Sequence, residues 1–324
     1  MSWLAHKLDA FKPWLDDPAT VEISVNPDRK IWLLKRGDVH MQDTGKMVEA
    51  GFGKSLANQI AGENQTQTGR DKLLVSASVA YNERPIRAQA VLAPATPQEA
   101  ALSFRLFAAL PIDEIKLSFL HGKQVELDAE RVKRNAQLAA LIEKSDLEGA
   151  LRFCVDHKLN ILVSGGTDTG KSVTLRKIIS MIPQDERIIT IEDASELYPL
   201  QPNTVSLIAE RKSGVRTTDM LLEATLRMRP DRLIVGEVRG KEAMTFLEAV
   251  NTGHGGSMTT IHAETPELAL DRLAIAAGRS DVRMSYRDLR SYILRTIDVI
   301  IQTGRVGETR GIAQVYIPKM EEAA

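Results

Sequence analysis

Apolar positions along the first third of the chain mark short elements of mixed type. Leu4, Leu8, Phe11 and Leu15 recur at steps of four, three and four, one stripe of a helix. Packing on its own domain is the ordinary reading of such a stripe; docking on a membrane surface or a partner is the alternative. Residues 21–25 and 31–34 then read as strands, punctuated by Asn26-Pro27-Asp28 and Gly37-Asp38. Helical composition returns over 48–61, and 73–80 and 86–92 read as strands joined across 81–85. Over 102–106, Leu102, Phe104 and Leu106 alternate with Ser103 and Arg105. Arg87 and Arg105 therefore project away from the apolar set. Arginines so placed usually face solvent, and contact with a ligand is the second reading.

The grammar changes across 107–113, which predicts a change of domain: an N-terminal α+β unit over 1–109 and a larger unit over 110–324. Helical stretches at 129–143 and 146–157 lead into the apolar strand Asn160-Ile161-Leu162-Val163. Strands follow at 187–191, 205–209, 232–235 and 258–261, with helical segments between them. Apolar strands separated by helices predict an α/β fold with a mostly parallel sheet covered on both faces. Residues 299–302 and 312–317, flanking a turn from Gly304 to Gly307, predict a closing β-hairpin.

A length of 324 residues, 43% apolar and 26% charged, fits two ordinary globular domains. Lys+Arg 42 against Asp+Glu 43 leaves a net charge of -1, which argues against a surface built wholly for polyanions. The single cysteine, Cys154, excludes an internal disulfide and a cysteine-rich zinc site, and its apolar neighbours predict a buried, inert thiol. No stretch reaches the ~18 uninterrupted apolar residues of a membrane span, and the first residues lack the pattern of a signal peptide. The expectation is a cytoplasmic protein whose membrane contact is peripheral or made through a partner.

Directly after the 161–163 strand stands Gly165-Gly166-Thr167-Asp168-Thr169-Gly170-Lys171-Ser172, a complete G-x-x-x-x-G-K-[ST] between a strand and a helix. Glycines let successive backbone N–H groups turn toward a phosphate, and the helix expected from Ser172 to Met181, with Val173 in its first turn, adds its positive N-terminal end. Lys171 suits the β- and γ-phosphates of ATP, and the Ser172 hydroxyl suits Mg²⁺. Hydrolysis also needs carboxylates. Glu192-Asp193 follows the strand after the P-loop helix, and Glu237 follows Leu233-Ile234-Val235-Gly236. In a parallel sheet both reach the ligand-binding end of the strands.

His254 lies among glycines in Asn251-Thr252-Gly253-His254-Gly255-Gly256-Ser257, and His262 closes the strand through Ile261. Either histidine alone is more often structural. Beside a nucleotide they can sense the γ-phosphate. Arg227, Arg229, Arg232 and Arg239 crowd the same region, and one or two of them are expected to touch nucleotide, the rest pairing with Asp231 or Glu237.

These motifs, in this order, resemble the secretion/traffic ATPase superfamily: the P-loop, the Asp box Thr190 to Leu197, the Walker B stretch Leu226 to Gly240 and the His box Asn251 to Ala263. The N-terminal segments DPATVEISVNPDRKIW and IRAQAVLAPAT look like the type IV secretion and conjugation branch. The resemblance implies a RecA-like ATPase domain, nucleotide near the domain interface, and a homo-hexamer working with inner-membrane components. It further implies arginines from the N-terminal domain at the phosphates, a place Arg87 and Arg105 match. Glu192 is assigned as the base and Glu237 as the Mg²⁺ carboxylate, roles that can be exchanged. Loss of the γ-phosphate would let the N-terminal domain swing on the linker. Such families generally carry glycine where this chain has Asp168, whose carboxylate repels a triphosphate unless it points outward or pairs with a cation. Ser172 in place of the commoner threonine keeps the hydroxyl.

Three other readings stand beside the secretion motor: a pilus assembly or retraction motor, a RecA-like nucleic-acid translocase, and a ring that binds ATP but barely turns it over. Sparse aromatics, 5%, and the neutral charge give no clear strand-binding surface.

Overall fold

The computed structural model describes residues 3–319 other than 83, 108–112, 114 and 213. Most of the expected linker therefore lies outside the described residues.

The N-terminal unit is built on a six-stranded antiparallel sheet, order β3-β2-β1-β6-β5-β4, of β1 (Thr20–Val25), β2 (Lys30–Lys35), β3 (Gln42–Met47), β4 (Leu74–Tyr81), β5 (Arg84–Leu92) and β6 (Ala100–Leu106). The opening stripe forms two short helices, α1 (Trp3–Leu8) and α2 (Lys12–Leu15), joined by a 3₁₀ turn rather than one helix. All four of its apolar residues are buried, with Phe11 against Phe52 and Phe104. They pack with α3 (Phe52–Glu63) on one sheet face, against Ile23, Ile86, Ala88, Leu102 and Phe104. The strand alternation sends Glu22, Ser24, Arg87, Gln89, Ser103 and Arg105 to the other face, in register across β1, β6 and β5. β3 had no apolar signal: it is an exposed edge strand.

After α4 (Leu127–Glu143) and α5 (Leu147–Asp156), a seven-stranded sheet runs β13-β12-β7-β11-β10-β8-β9. It comprises β7 (Ile161–Ser164), β8 (Ile188–Glu192), β9 (Thr204–Ile208), β10 (Arg232–Val235), β11 (Met258–Ile261), β12 (Val299–Val306) and β13 (Thr309–Tyr316), all parallel except β13. Leu162, Ile189, Leu233 and Ile300 face α7 (Thr218–Thr225), α8 (Glu242–Asn251), α9 (Pro266–Ala277) and α10 (Tyr286–Thr296). Ile161, Val163, Ile234 and Ile301 face the opposite layer, with α5 and α6 (Lys171–Ile179). Two covered faces explain the continuous apolar runs. Cys154 is buried in the second layer, and burial pushes its thiol up to about 12, as its neighbours predicted. The final hairpin turns at Gly307, and Gly304 lies inside β12, so the turn is tighter than the two glycines suggested.

The polar face of the first sheet docks on the second unit. Arg187, fully buried at the start of β8, donates to Asn26 Oδ1 at 2.7 Å and Asn203 Oδ1 at 2.5 Å, and Asn26 donates to Asn203 at 3.0 Å. His40 lies 3.1 Å from Asp231, and Ile208 N–H at the β9 edge donates to the Ala95 carbonyl at 2.8 Å. Leu73, Val91, Ala95 and Ala101 join the same apolar cluster as Val205 and Leu207.

Candidate active site

The parallel strands end at Ser164, Glu192, Val235 and Ile261, and the residues just beyond them surround a cavity of about 430 Å³. Its floor is the phosphate loop. Gly170 caps α6 at φ +91°, where a side chain is strained, and a Cβ on Gly165 would collide with the hydroxyls of Thr169 and Thr303. Only glycine lets the loop pass there.

Lys171 Nζ donates to the carbonyls of Gly165 at 3.1 Å and Gly166 at 2.7 Å and reaches His262 Nδ1 at 3.2 Å. Burial holds the Lys171 ammonium below its usual pKa. His262 Nε2 lies 3.3 Å from Glu237 Oε1. Burial lowers the imidazole pKa, with Glu237 opposing it and Lys171 adding to it. A neutral ring that accepts from Lys171 at Nδ1 carries its proton on Nε2, toward Glu237. Glu237 also pairs with Arg239.

Glu192 is almost fully buried. Its Oε1 accepts from the N–H groups of Glu196 at 2.9 Å and Leu197 at 3.0 Å, and Oε2 accepts from Thr190 at 3.2 Å. Burial raises its carboxyl above the usual range, against the pull of those hydrogen bonds. Gly236 brings Glu237 alongside, since a Cβ there would stand 3.3 Å from Glu192 Cγ. Thr169, Asp168, Gly170, Ser172 and Val173 complete the wall with Glu192, Glu237, Arg239 and His262. Ser172 Oγ donates to Glu196 at 3.2 Å. Glu196 escaped notice inside the Asp box because it follows no strand; only the turn that Glu192 ties down brings it back to the loop.

Asp168 adopts φ +59° and pairs with a cation, the condition under which its charge is tolerated: Arg305 at 3.0 Å and Arg310 at 2.5 Å. The hydrogen bond from Arg310 holds its carboxyl below the usual range.

Arg87, Arg105, Arg227 and His254 are elsewhere. They line a second cavity of about 460 Å³ with Glu22, Lys158, Arg229 and Asp231. Lys158, Asp231 and Gly255 precede β7, β10 and β11, so this cavity lies at the amino ends of the strands, a strand length from the phosphate loop. His254 Nδ1 is 3.0 Å from the Ala249 carbonyl and closes the end of α8, and Arg87 sits over the Phe107 ring. Among the described residues, the phosphate cavity is lined by the second unit alone, and not by the domain interface of the same chain. Arg232 pairs with buried Glu186 rather than with Asp231, and Asp231 instead takes His40 and the Arg187 N–H.

A phosphate loop and two strand-end carboxylates on a parallel sheet define a RecA-like P-loop nucleotide-binding protein. The type II/IV secretion system protein family matches residues 38–305, and the chain belongs to that family. The conjugal transfer protein TrbB of Rhizobium radiobacter is 31% identical over 310 residues, 93% of this chain and 84% of that protein. The type IV secretion system protein VirB11 of Brucella suis is 28% identical over 332 residues, 98% and 91% of the two chains. The crystal structure of the Brucella suis VirB11 ATPase in complex with sulphate superposes with a TM-score of 0.84 at 26% identity, covering 97% of this chain and 94% of that one. No helix among the described residues is long and apolar enough to cross a membrane.

Proposed function

We propose that this chain is the ATP hydrolase of a type IV secretion or conjugation machine, acting as a ring of six at the inner face of the cytoplasmic membrane. The observation that carries the reading is the convergence of Lys171, His262, Glu237 and Glu192 on one cavity at the mouth of the phosphate loop. The relatives' names favour secretion and conjugation over a pilus motor.

In this reading the triphosphate takes the place of the loop carbonyls that Lys171 now holds. Water attacks the γ-phosphorus in line, its proton passes to Glu192 Oε2, and the bond to the ADP oxygen breaks. A carboxylate with a raised pKa is the better base. His262 reports the γ-phosphate by its contacts to Lys171 and Glu237. Mg²⁺ fits this donor set: Glu237 Oε1 is buried and faces the His262 ring at 3.3 Å without accepting a formed hydrogen bond, and the Ser172 hydroxyl stands beside Glu196. Ser172 and Glu237 would hold the ion, which neutralises phosphate charge when bound.

Arg87, Arg105, Arg227 and His254 then serve the nucleotide of a neighbouring chain, because their cavity faces away from their own phosphate loop. Glu192→Gln should bind ATP and release phosphate at least about 100-fold more slowly; equal rates would leave only a nucleotide-gated ring. Lys171→Ala should lose binding of labelled ATP, and undiminished uptake overturns the site. Sizing the protein with and without ATP-Mg²⁺ tests the ring.

A further inference from the structure

The C-terminal hairpin does more than close the sheet. β12 runs parallel to β7 with Gln302 opposite Ser164, then continues four residues beyond it and turns back. Its tip therefore overhangs the phosphate loop. Thr303 Oγ1 donates to the Ser164 carbonyl at 3.0 Å and lies 2.7 Å from Thr169 Oγ1. Arg310 and Arg305 are cross-strand partners, and both guanidinium groups reach Asp168 Oδ2. Arg310 Nε also donates to the Asp168 carbonyl at 2.9 Å, so one arginine grips both the backbone and the side chain of the same loop residue.

We infer that Asp168, held by Arg305 and Arg310, is a positioning residue that clamps the phosphate loop in its binding shape and so sets nucleotide affinity. The inference rests on the ATP reading of the cavity. A loop that must present consecutive N–H groups loses less conformational freedom on binding when it is already held. The two arginines also exceed the one carboxylate, leaving net positive charge at the mouth of an anion site. Asp168 thus contributes attachment without adding net repulsion. The left-handed backbone at this residue suits aspartate better than most side chains and suits glycine best.

That conformational point supplies the test. Asp168→Gly spares the left-handed backbone and removes the carboxylate but also frees the chain there, so Arg310→Ala, which leaves residue 168 intact, is the paired test that removes the other side of the grip. Titration with a fluorescent ATP analogue and steady-state hydrolysis should show Kd and KM raised about three- to tenfold in each single variant, with a smaller change in kcat. The loss in the double variant should be smaller than the two single losses multiplied together, because both singles break the Arg310–Asp168 side-chain pair. The parent's advantage should shrink in about 0.5 M salt, since the pair is exposed. If Asp168→Gly binds as tightly as the parent, or more tightly, the carboxylate only opposes the phosphates and the clamp is overturned. Lys171→Ala in the same titration separates the failures: if it binds like the parent, the ATP site itself is misplaced and the clamp falls with it.

Discussion

Glu22 is a carboxyl in an adverse place. It faces the cavity at the amino ends of the strands, is almost fully buried, and burial pushes it up to about 7 even though Arg187, Arg229 and Arg105 pull the other way. The unfolded chain ionises it near the ordinary 4.5. The neutral form is therefore favoured in the fold: the advantage is full below about 4.5 and is lost as pH rises through about 7. Glu22→Gln should raise stability at pH 8 by about 1–3 kcal/mol and change it little at pH 4.5, as read by urea unfolding at the two pH values. Glu192 has a raised carboxyl as well, so the base form is lost as pH falls through a value above the usual range. The acid limb of hydrolysis should accordingly lie closer to neutrality than an exposed glutamate would place it, and a pH–rate profile measures that limb.

Among the elements, those with an unbroken apolar run were legible in the sequence: β7, β10 and β11 are buried along their whole length. The P-loop was legible by its residue spacing, G-x-x-x-x-G-K-[ST], set between an apolar strand and a helix. β3 was not, because an exposed edge strand has no inward face to print a pattern. Arg187 could be read only as the start of a strand, since its partners Asn26 and Asn203 stand 161 and 16 residues away. Arg305 and Arg310 carried no local motif either, and the β12–β7 register alone sets them over the loop. The turn into β11 shows how far an element can depend on one atom. Gly256 has φ +82°, and a Cβ there would strike the guanidinium of Arg232, itself paired with Glu186 in the core. Gly256→Ala should cost about 2–4 kcal/mol, seen as a lower urea midpoint with a similar slope.

Across the whole molecule, the separation of the two cavities makes a statement about shared sites. If the arginines of one chain complete the site of the next, Lys171→Ala and Arg105→Ala are each inactive alone but complementary when mixed. Random reassembly would restore about a quarter of the parent rate, the chance that an intact lysine meets an intact arginine. No recovery on mixing would confine each site to its own chain. The sequence places the motifs but not the subunit that Arg87 and Arg105 would serve, because spacing along a chain does not tell which subunit a side chain faces.

The junction of Asn26, Arg187 and Asn203 bears on any attempt to dissect the protein. A fragment starting near α4 would strip the cover from the β9 edge, leaving the Ile208 amide and the apolar side chains of Val205 and Leu207 open to a stranger. Arg187 would lose its Asn26 acceptor at the same time. Bare strand edges recruit other strands. Such a fragment should precipitate or form mismatched aggregates, because the sheet that looks like an accessory in the sequence covers an edge of the P-loop half.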